Sequence, residues 1–329
     1  MCSSGNEVEN HENLVSIIVP VRNQQDYLTK LISSLERSTY TSIEVIIVDD
    51  CSDPPIKIPE TILPTTILSN HKNNGKAYSV NRGAIIAKGR ILIITDPDII
   101  FEPNLVSLWA SALKRDSALG IVGAYVYFVS DPERITHAGA VMIGKFKLIP
   151  RRFVNVIDNG VSINCFSAHN LFLDDVYAVR REAWDSVGGM DWLNFDTMYE
   201  DVDLQFRIQS EGFTTAVIGG AKAYHFQSPN VGVPLSQDRA DKLSSEYSVR
   251  RLVKNRIIFL RKHELLGKKL LLIHILGLLA FYGTMILISR YSLKEKVRRW
   301  IDIVRAALEG VEKTLYQFHG KVGGYSASL

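Results

Sequence analysis

The sequence predicts an α/β fold with a mostly parallel central sheet, followed by a C-terminal helical region. The first 130 residues alternate short apolar runs with segments of helical periodicity, the pattern of strands joined by crossover helices. Acidic residues directly follow two of the apolar runs, and beyond about residue 245 the chain becomes basic and strongly apolar. We therefore divide it into a polar lead-in at 1–14, predicted to be disordered, a globular domain at 15–245 and a helical region at 246–329.

Four apolar runs are predicted strands, with helices predicted after the first and third and a Pro-rich loop between the second and third. The strands are "VSIIVP" (15–20), "IEVIIVDD" (43–50), "TTILSN" (65–70) and "ILIITDPD" (91–98). The first helix carries Leu28, Leu31, Ile32 and Leu35 at helical spacing. A second helix, "AYSVNRGAIIAKG", is predicted to be closed by Gly89. A third runs from Pro103 to about Lys114, before the strand "GIVGAYVYF", and the region 130–195 is less regular.

Charge and cysteine usage exclude several classes of protein. Residues 250–329 hold 16 of the 38 Lys and Arg residues but only 5 of the 35 Asp and Glu residues, so the basic character belongs to the C-terminal region. That region is also apolar, and the rest is acidic, so the sequence argues against a nucleic-acid partner. The three cysteines share no metal-ligand or disulfide spacing, which fits a reducing cytoplasmic setting. The N-terminus lacks the basic flank and apolar core of a signal peptide.

The run at 270–289, "LLLIHILGLLAFYGTMILIS", is long enough to cross a bilayer as a helix. Lys and Arg residues flank it on both sides, so the positive-inside rule assigns no orientation. A buried core helix is the alternative. The following segment, 294–316, places apolar residues on one stripe, as expected either of a helix in the membrane interface or of one docked on the domain.

Acidic residues at the ends of predicted strands are candidate ligand contacts. In open α/β sheets, ligands bind outside the carboxyl ends of the strands. Asp96 and Asp98 in "TDPDI" could hold Mg²⁺ or Mn²⁺, because hard cations prefer oxygen ligands. Asp50 could accept a hydrogen bond from a base or ribose. The alternatives are ordinary turn roles, with Asp-Pro-Asp as a turn former and Asp50 as a cap in "DDCSDPP".

The segment "MYEDVDLQFRI" (198–208) concentrates acids on a predicted helix. Asp203 and Arg207 have the spacing of an i,i+4 ion pair, a structural role. Asp201, if it faces a cleft, is a candidate general base. His225, in "AYHFQSP", lies on a predicted strand, where a histidine is either structural or a metal ligand.

Glycine motifs exclude the commoner nucleotide and hydrolase sites. The glycines of "NGKAYSVNRG", "VGGMD" and "GVPL" match neither a Walker loop nor the Gly-x-Gly-x-x-Gly dinucleotide motif. The chain also has no Gly-x-Ser-x-Gly. Kinases, dehydrogenases and serine hydrolases are therefore disfavoured.

Taken in order, six segments resemble family 2 glycosyltransferases with the GT-A nucleotide-diphospho-sugar transferase fold. They are "VSIIVPVRN", "IEVIIVDDCSD", "NNGKAYSVNRG", "ILIITDPDIIFEP", "RREAWDSVGGMD" and "MYEDVDLQFRI", and they cover about residues 15–230. Taken with the apolar, basic C-terminal region, the resemblance predicts a membrane-associated enzyme at the cytoplasmic face of the cell membrane. It would transfer a single sugar, with inversion, from a nucleotide-diphosphate donor to a hydroxyl of a cell-surface or lipid-linked glycan, using Mg²⁺ or Mn²⁺.

The resemblance also implies roles for individual residues. Donor-binding positions are Pro20, Arg22, Asp50, Gly75, Asn81 and Asp96; metal positions are Asp98, Asp96 and His225. Asp201 matches the general base, and Glu200 would orient the acceptor or support Asp201.

Two features depart from common forms of the family. Pro97 stands between the two aspartates and restricts Asp96, so Asp98 is the stronger metal candidate. The "KVRRW" at 296–300 has Lys where processive synthases have Gln, which favours single transfer. The alternatives are a polyprenyl-phosphate glycosyltransferase, which would need no general base, and a non-catalytic sugar-nucleotide-binding subunit.

Overall fold

The computed structural model describes residues 13–143, 147–149, 156–167, 170–226 and 246–317. Most of the predicted lead-in at 1–14 lies outside these ranges. The strands are β1 (Val15–Val21), β2 (Ile43–Asp49), β3 (Thr65–Ser69), β4 (Ile91–Thr95), β5 (Ile99–Phe101), β6 (Leu119–Phe128), β7 (Asp131–His137), β8 (Ala140–Ile143), β9 (Lys147–Ile149), β10 (Val156–Ile157), β11 (Phe166–Ser167), β12 (Leu171–Phe172), β13 (Val176–Arg180) and β14 (Thr214–His225). The α-helices are α1 (Gln25–Leu35), α2 (Lys76–Ile86), α3 (Leu105–Arg115), α4 (Arg181–Val187), α5 (Glu200–Ser210), α6 (Glu246–Lys262), α7 (Lys268–Ile288) and α8 (Leu293–Gln317).

The first four strands form the parallel part of the main sheet, in the order β3-β2-β1-β4. Ile17 of β1 is in register with Val45 of β2 on one side and Ile93 of β4 on the other. Beyond β4 the sheet continues through the antiparallel strand β13 to β6, and β6 pairs in parallel with β14. The prediction of an α/β fold with a mostly parallel central sheet is confirmed.

Helices cover both faces of this sheet, as the buried strands require. Leu28 and Leu31 of α1 and Trp109 of α3 belong to the core on one face, and Val80 of α2 and Leu204 of α5 to the core on the other. The fully buried Trp109 donates its indole N–H to the Gly123 carbonyl at 2.9 Å.

The predicted end of the second helix is wrong. α2 ends at Ile86, because Ala87 is extended at φ −63° and ψ 133°. The guanidinium of Arg181 donates hydrogen bonds to the carbonyls of Ala84 and Ala87. These carbonyls, at the end of the helix, therefore have partners. Gly89 allows close approach to β1 instead, since a Cβ there would lie 2.6 Å from the Leu14 carbonyl oxygen.

Gly75 precedes α2 in a backbone conformation that is open to glycine alone, with φ 88° and ψ 172°. A Cβ at this position would lie 2.4 Å from the Asp196 carbonyl oxygen. The loop before α2 and the segment before α5 therefore meet at a glycine.

We expect Gly75→Ala to lower the free energy of unfolding by about 2–3 kcal/mol, because backbone strain and a clash with main-chain atoms add together. Gly212→Ala is the matched control, since Gly212 also has a positive φ, 94°, but a Cβ there meets nothing within 4 Å. Its expected loss is about 1 kcal/mol. Urea unfolding measures both, and equal losses would contradict the close contact at Gly75.

α6 joins the C-terminal helices to the globular domain. Its Ile258 and Phe259 pack against Phe195 and Tyr199. Its polar side chains bond the segment before α5: the Asn255 amide donates to the Thr197 carbonyl at 2.9 Å. α7 and α8 pack on the other side of α6 through a separate apolar cluster. α6 thus contacts both the globular domain and the C-terminal helices, and the division at residue 245 stays a prediction.

Candidate active site

A cleft of about 260 Å³ lies at the carboxyl ends of β1, β2 and β4. Parallel strands bring their carboxyl ends to one edge, so residues far apart in sequence meet here. Five predicted site residues line it: Pro20, Arg22, Asp50, Asp96 and Asp98. The remaining lining residues are Val21, Gln24, Lys76, Ser79 and Pro97.

Asp50 fixes the loop that closes one side of the cleft. Its carboxylate accepts hydrogen bonds from the Asn70 amide at 2.7 Å and from the backbone N–H groups of Asn74 and Gly75, each at 2.8 Å. The turn cap expected as the alternative for Asp50 is supplied by Asp49, which accepts from the N–H groups of Ser52 and Ile56.

Two other predicted donor-binding residues do not line this cleft. Gly75 lies in the loop held by Asp50. Asn81 lies further along α2, where its amide bonds the Met190 backbone N–H and carbonyl at 2.9 and 2.8 Å. Their roles in donor binding stay predictions.

α5 begins with the acidic pair, Glu200 and Asp201. Met198 and Tyr199 have positive φ values, 63° and 72°, and turn the chain into the helix. Asp201 is buried, and its two oxygens have different partners: Oδ1 accepts from the Tyr177 hydroxyl, and Oδ2 lies 3.2 Å from the Lys76 ammonium. Asp201 does not itself line the cleft; it is connected to the cleft through Lys76, which does.

Lys76 connects the two acidic groups of the site. Its Nζ lies 2.8 Å from Asp96 Oδ1 and 3.2 Å from Asp201 Oδ2. Burial alone would lower the pKa of Lys76, but the charges of Asp201 and Asp96 raise it well above its ordinary value. The ammonium is thus held charged between the two carboxylates.

Our sequence analysis missed Lys76 and Tyr177. A lysine at the first position of a helix opposes the helix dipole, so a nearby acidic partner is expected, and this is the signal that could have identified Lys76. Tyr177 carries no such signal, because its contact with Asp201 depends on where β13 enters the sheet.

The remaining acids on α5 have different environments. Glu200 is 4% exposed, and burial, reinforced by the charge of Asp201, raises its pKa to about 8, so it is mostly protonated at neutral pH. Asp203 lies 2.8 Å from Arg207, as predicted, and also contacts Lys262 and His263. Burial alone would raise the pKa of Asp203, but these partners hold it below its usual range. Asp203 is structural.

Asp98 and His225 form the candidate metal centre. β5 and β14 pair antiparallel, which brings His225 beside Ile99 and places its Nε2 3.1 Å from Asp98 Oδ2. Asp175 Oδ2 lies 3.3 Å from His225 Nδ1, the outer contact that orients a metal-binding imidazole. Burial alone would lower the pKa of His225, but Asp175 and Asp98 raise it to about 10. The carboxylate is a ligand type that Mn²⁺ and Mg²⁺ prefer, whereas the imidazole is one that transition-metal ions accept.

Asp96 has a different partner from Asp98. Its carboxylate bonds Lys76, and its backbone N–H donates to the Asp175 carbonyl at 2.9 Å. Burial raises the pKa of Asp96 to about 6, although Lys76 opposes this shift. The structure therefore pairs Asp98, rather than Asp96, with His225.

A second group that could hold a cation lies behind this centre. His137, Asp174 and Asp175 offer ligand atoms within 4.8 Å of one another. His137 Nε2 lies 2.7 Å from Asp175 Oδ2, so Asp175 is shared between two histidines. The sequence analysis did not identify this group.

The mostly parallel sheet, with an acidic cleft at the carboxyl ends of its strands, is a fold of the GT-A glycosyltransferase type. Residues 16–177 match the model of the family described as Glycosyl transferase family 2. This part of the chain belongs to that family, and the resemblance seen in the sequence is confirmed.

Known proteins match parts of the chain. An uncharacterized glycosyltransferase of Haemophilus influenzae is 40% identical over 92 residues, 28% of this chain and 31% of that protein. The putative colanic acid biosynthesis glycosyl transferase WcaA of Escherichia coli is 30% identical over 101 residues, 29% of this chain and 36% of that protein. The chain thus spans about a third of the length of these relatives.

One solved structure, GalNAc-T7 with UDP, GalNAc and Mn²⁺, supports the fold. It superposes with a TM-score of 0.51 and 12% sequence identity, covering 73% of this chain and 50% of that one. At this identity the likeness concerns the fold alone.

Proposed function

We propose that the protein is an inverting, metal-dependent glycosyltransferase that moves a single sugar from a nucleotide-diphosphate donor to a hydroxyl acceptor. The glycan would be a cell-surface or lipid-linked one. The observation that carries the proposal is the connection, through Lys76, between Asp96 at the end of β4 and Asp201 at the start of α5. The candidate base thus lies next to the proposed donor pocket and is joined to it by one side chain.

At the donor end, the chain offers a nucleoside site and a diphosphate site. Pro20 and Asp50 line the cleft where β1 and β2 end, and they are assigned to the nucleoside. Asp98 and His225 would hold Mg²⁺ or Mn²⁺. When bound, the cation supplies charge stabilisation to the departing diphosphate. Arg22 and Lys76 line the same cleft and add positive charge from the protein.

At the acceptor end, Asp201 takes the proton of the attacking hydroxyl. Inversion requires attack on the anomeric carbon from the face opposite the diphosphate, so one carboxylate must lie beside the acceptor oxygen. The Tyr177 hydroxyl fixes the orientation of that carboxylate through Oδ1. Glu200, buried beside it and mostly protonated, supports the charge of Asp201 without repelling it.

Transfer of a single sugar is favoured by the position of "KVRRW". Trp300 packs against Gly283 of α7, because a Cβ added at Gly283 would lie 2.7 Å from the Trp300 ring. This tryptophan therefore belongs to the packing of the C-terminal helices.

The reaction is tested by ¹H NMR on the purified full chain in detergent with Mn²⁺. A panel of α-linked UDP-, GDP- and dTDP-sugars is incubated with it. The anomeric configuration of the released sugar is recorded before mutarotation. We expect one donor to release its sugar with the β configuration. Release of the α anomer would contradict inversion, and a donor that binds without any turnover would favour the non-catalytic subunit.

We also propose that the C-terminal helices bind the cytoplasmic face of the cell membrane. Within the described residues, α7 is the one helix long and apolar enough to cross a membrane. One side of α7 packs against α6 and α8, and its exposed side carries apolar residues, including Leu272 and Leu276. Because α6 and α8 have charged faces, this packing favours a helix lying in the interface. The Lys and Arg residues around α7 would meet anionic headgroups.

We expect Leu272→Gln with Leu276→Gln to lower partition onto anionic vesicles by at least about tenfold, because each leucine loses its burial in lipid. Ile62→Gln is the matched control: Ile62 is 86% exposed, compared with 58% and 57% for the two leucines, but it lies in the globular domain. Vesicle sedimentation measures all three proteins. Partition of the double variant equal to that of wild type would contradict membrane contact through α7. Truncation at residue 250 is a poorer test, since it also removes the part of α6 that packs against Phe195 and Tyr199.

A further inference from the structure

The Lys76 ammonium lies between Asp96, on the proposed donor side, and Asp201, on the proposed acceptor side. We infer that Lys76 locks Asp201 while the donor site is empty and releases it when a donor diphosphate binds. The inference rests on the proposed function and adds to it an order of events: the base becomes available only after the donor has entered.

The first argument concerns the hydrogen bonds of Asp201. A general base needs a free lone pair that faces the proton it accepts. Both oxygens of Asp201 are engaged, Oδ1 by Tyr177 and Oδ2 by Lys76. Two hydrogen bonds leave lone pairs on a carboxylate, but Lys76 lines the cleft and Asp201 does not, so the ammonium has to move before Asp201 can reach a hydroxyl in the cleft.

The second argument identifies the contact that opens. The Tyr177 hydroxyl belongs to a fully buried side chain on β13, in the middle of the sheet. Lys76 carries its charge on a flexible four-carbon stem and lines the open cleft. Movement of Lys76 requires no change in the sheet.

The third argument is that the backbone of Lys76 is fixed, so that only its side chain responds. The Gly75 N–H bonds Asp50 at 2.8 Å, and the Ala77 N–H donates to the Asp196 carbonyl at 3.3 Å. The ammonium can therefore turn from Asp201 towards the cleft while α2 stays in place.

The fourth argument is electrostatic. A diphosphate that enters beside Asp96 and Asp98 brings negative charge within reach of the ammonium and competes with Asp201 for it. Arg22 lines the same cleft, but Lys76 is the cleft-lining cation that also contacts Asp201 among the described residues. The same competition predicts that weakening the ion pair between Asp201 and Lys76 leaves the ammonium free to bind the diphosphate.

The test is a calorimetric cycle on the full chain with Mn²⁺. The probes are UDP, GDP and dTDP and their monophosphates. We expect Lys76→Met to weaken the diphosphate that binds wild type by about 10- to 100-fold, with a smaller effect on its monophosphate. Asp201→Asn should tighten the diphosphate by about 3- to 10-fold. The double variant Lys76→Met with Asp201→Asn should bind the diphosphate no more tightly than Lys76→Met alone.

Controls separate the lock from other effects of charge and structure. Tyr177→Phe leaves the Lys76 contact intact and should not tighten diphosphate binding. Lys76→Arg keeps the charge and should retain most of the affinity for the diphosphate, which decides the role of the cation if Lys76→Met does not fold.

Three outcomes overturn the inference. If Asp201→Asn does not tighten binding, Lys76 does not exchange between the two partners. If the tightening persists in the double variant, it arises from the lost charge of Asp201 alone. If no diphosphate binds wild type, the proposed function fails, and the lock fails with it; this outcome is distinct from the other two because it appears before any variant is made.

Discussion

Asp201→Asn is expected to lower kcat by about 10²- to 10⁴-fold, the range that a positioned general base contributes. Asparagine keeps the shape of the side chain and its contact with Tyr177, but it cannot accept the proton of the acceptor hydroxyl. The rate is measured as release of nucleoside diphosphate from the donor found by NMR, at saturating donor and with water as the acceptor. Calorimetry on the same variant shows that the donor site is intact.

Glu200→Gln is the matched control, one residue away on the same helix turn. Because Glu200 is mostly protonated at neutral pH, glutamine mimics its charge state, and we expect a loss of kcat below about tenfold. Full activity of Asp201→Asn would contradict the role of Asp201. It would favour a lipid-phosphate acceptor, which needs no general base.

Asp98→Ala is expected to weaken Mn²⁺ binding by at least about 100-fold, measured by electron paramagnetic resonance of free Mn²⁺ with the nucleotide present. Removing an outer contact of a metal ligand typically costs 10- to 100-fold in affinity, and a direct ligand should cost no less. Donor binding that depends on Mn²⁺ should be lost in parallel.

Asp174→Asn provides the control for the second cation group. Asp174 belongs to the group with His137 and Asp175, but the cleft is lined by Asp98. We expect Asp174→Asn to bind Mn²⁺ within about threefold of wild type. Loss of Mn²⁺ in Asp174→Asn with retention in Asp98→Ala would place the cation at the second group and contradict the assignment to Asp98 and His225.

Local pattern was sufficient to predict the parallel half of the sheet. The strands that carry Pro20, Asp50 and Asp96 are apolar runs followed at once by polar residues, so strand and site can be identified together. The same reasoning selected Asp201 as a candidate, because acidic residues interrupt the apolar pattern of its helix. It also predicted the strand that ends at His225.

The parts that could not be predicted depend on contacts across the chain. Lys76 and Asp201 are 125 positions apart and meet only because α2 and α5 cover the same face of the sheet. Asp175 and Tyr177 enter the site because β13 runs antiparallel between β4 and β6. No short-range pattern specifies that order of strands.

The most direct test of the account is calorimetric titration of the wild-type full chain with UDP, GDP and dTDP, each in Mn²⁺ and again in EDTA. We expect one nucleotide to bind in Mn²⁺ and to lose that binding in EDTA, which would identify the class of donor. Absence of binding by all three in Mn²⁺ would contradict the proposal that this cleft is the donor site of a working glycosyltransferase.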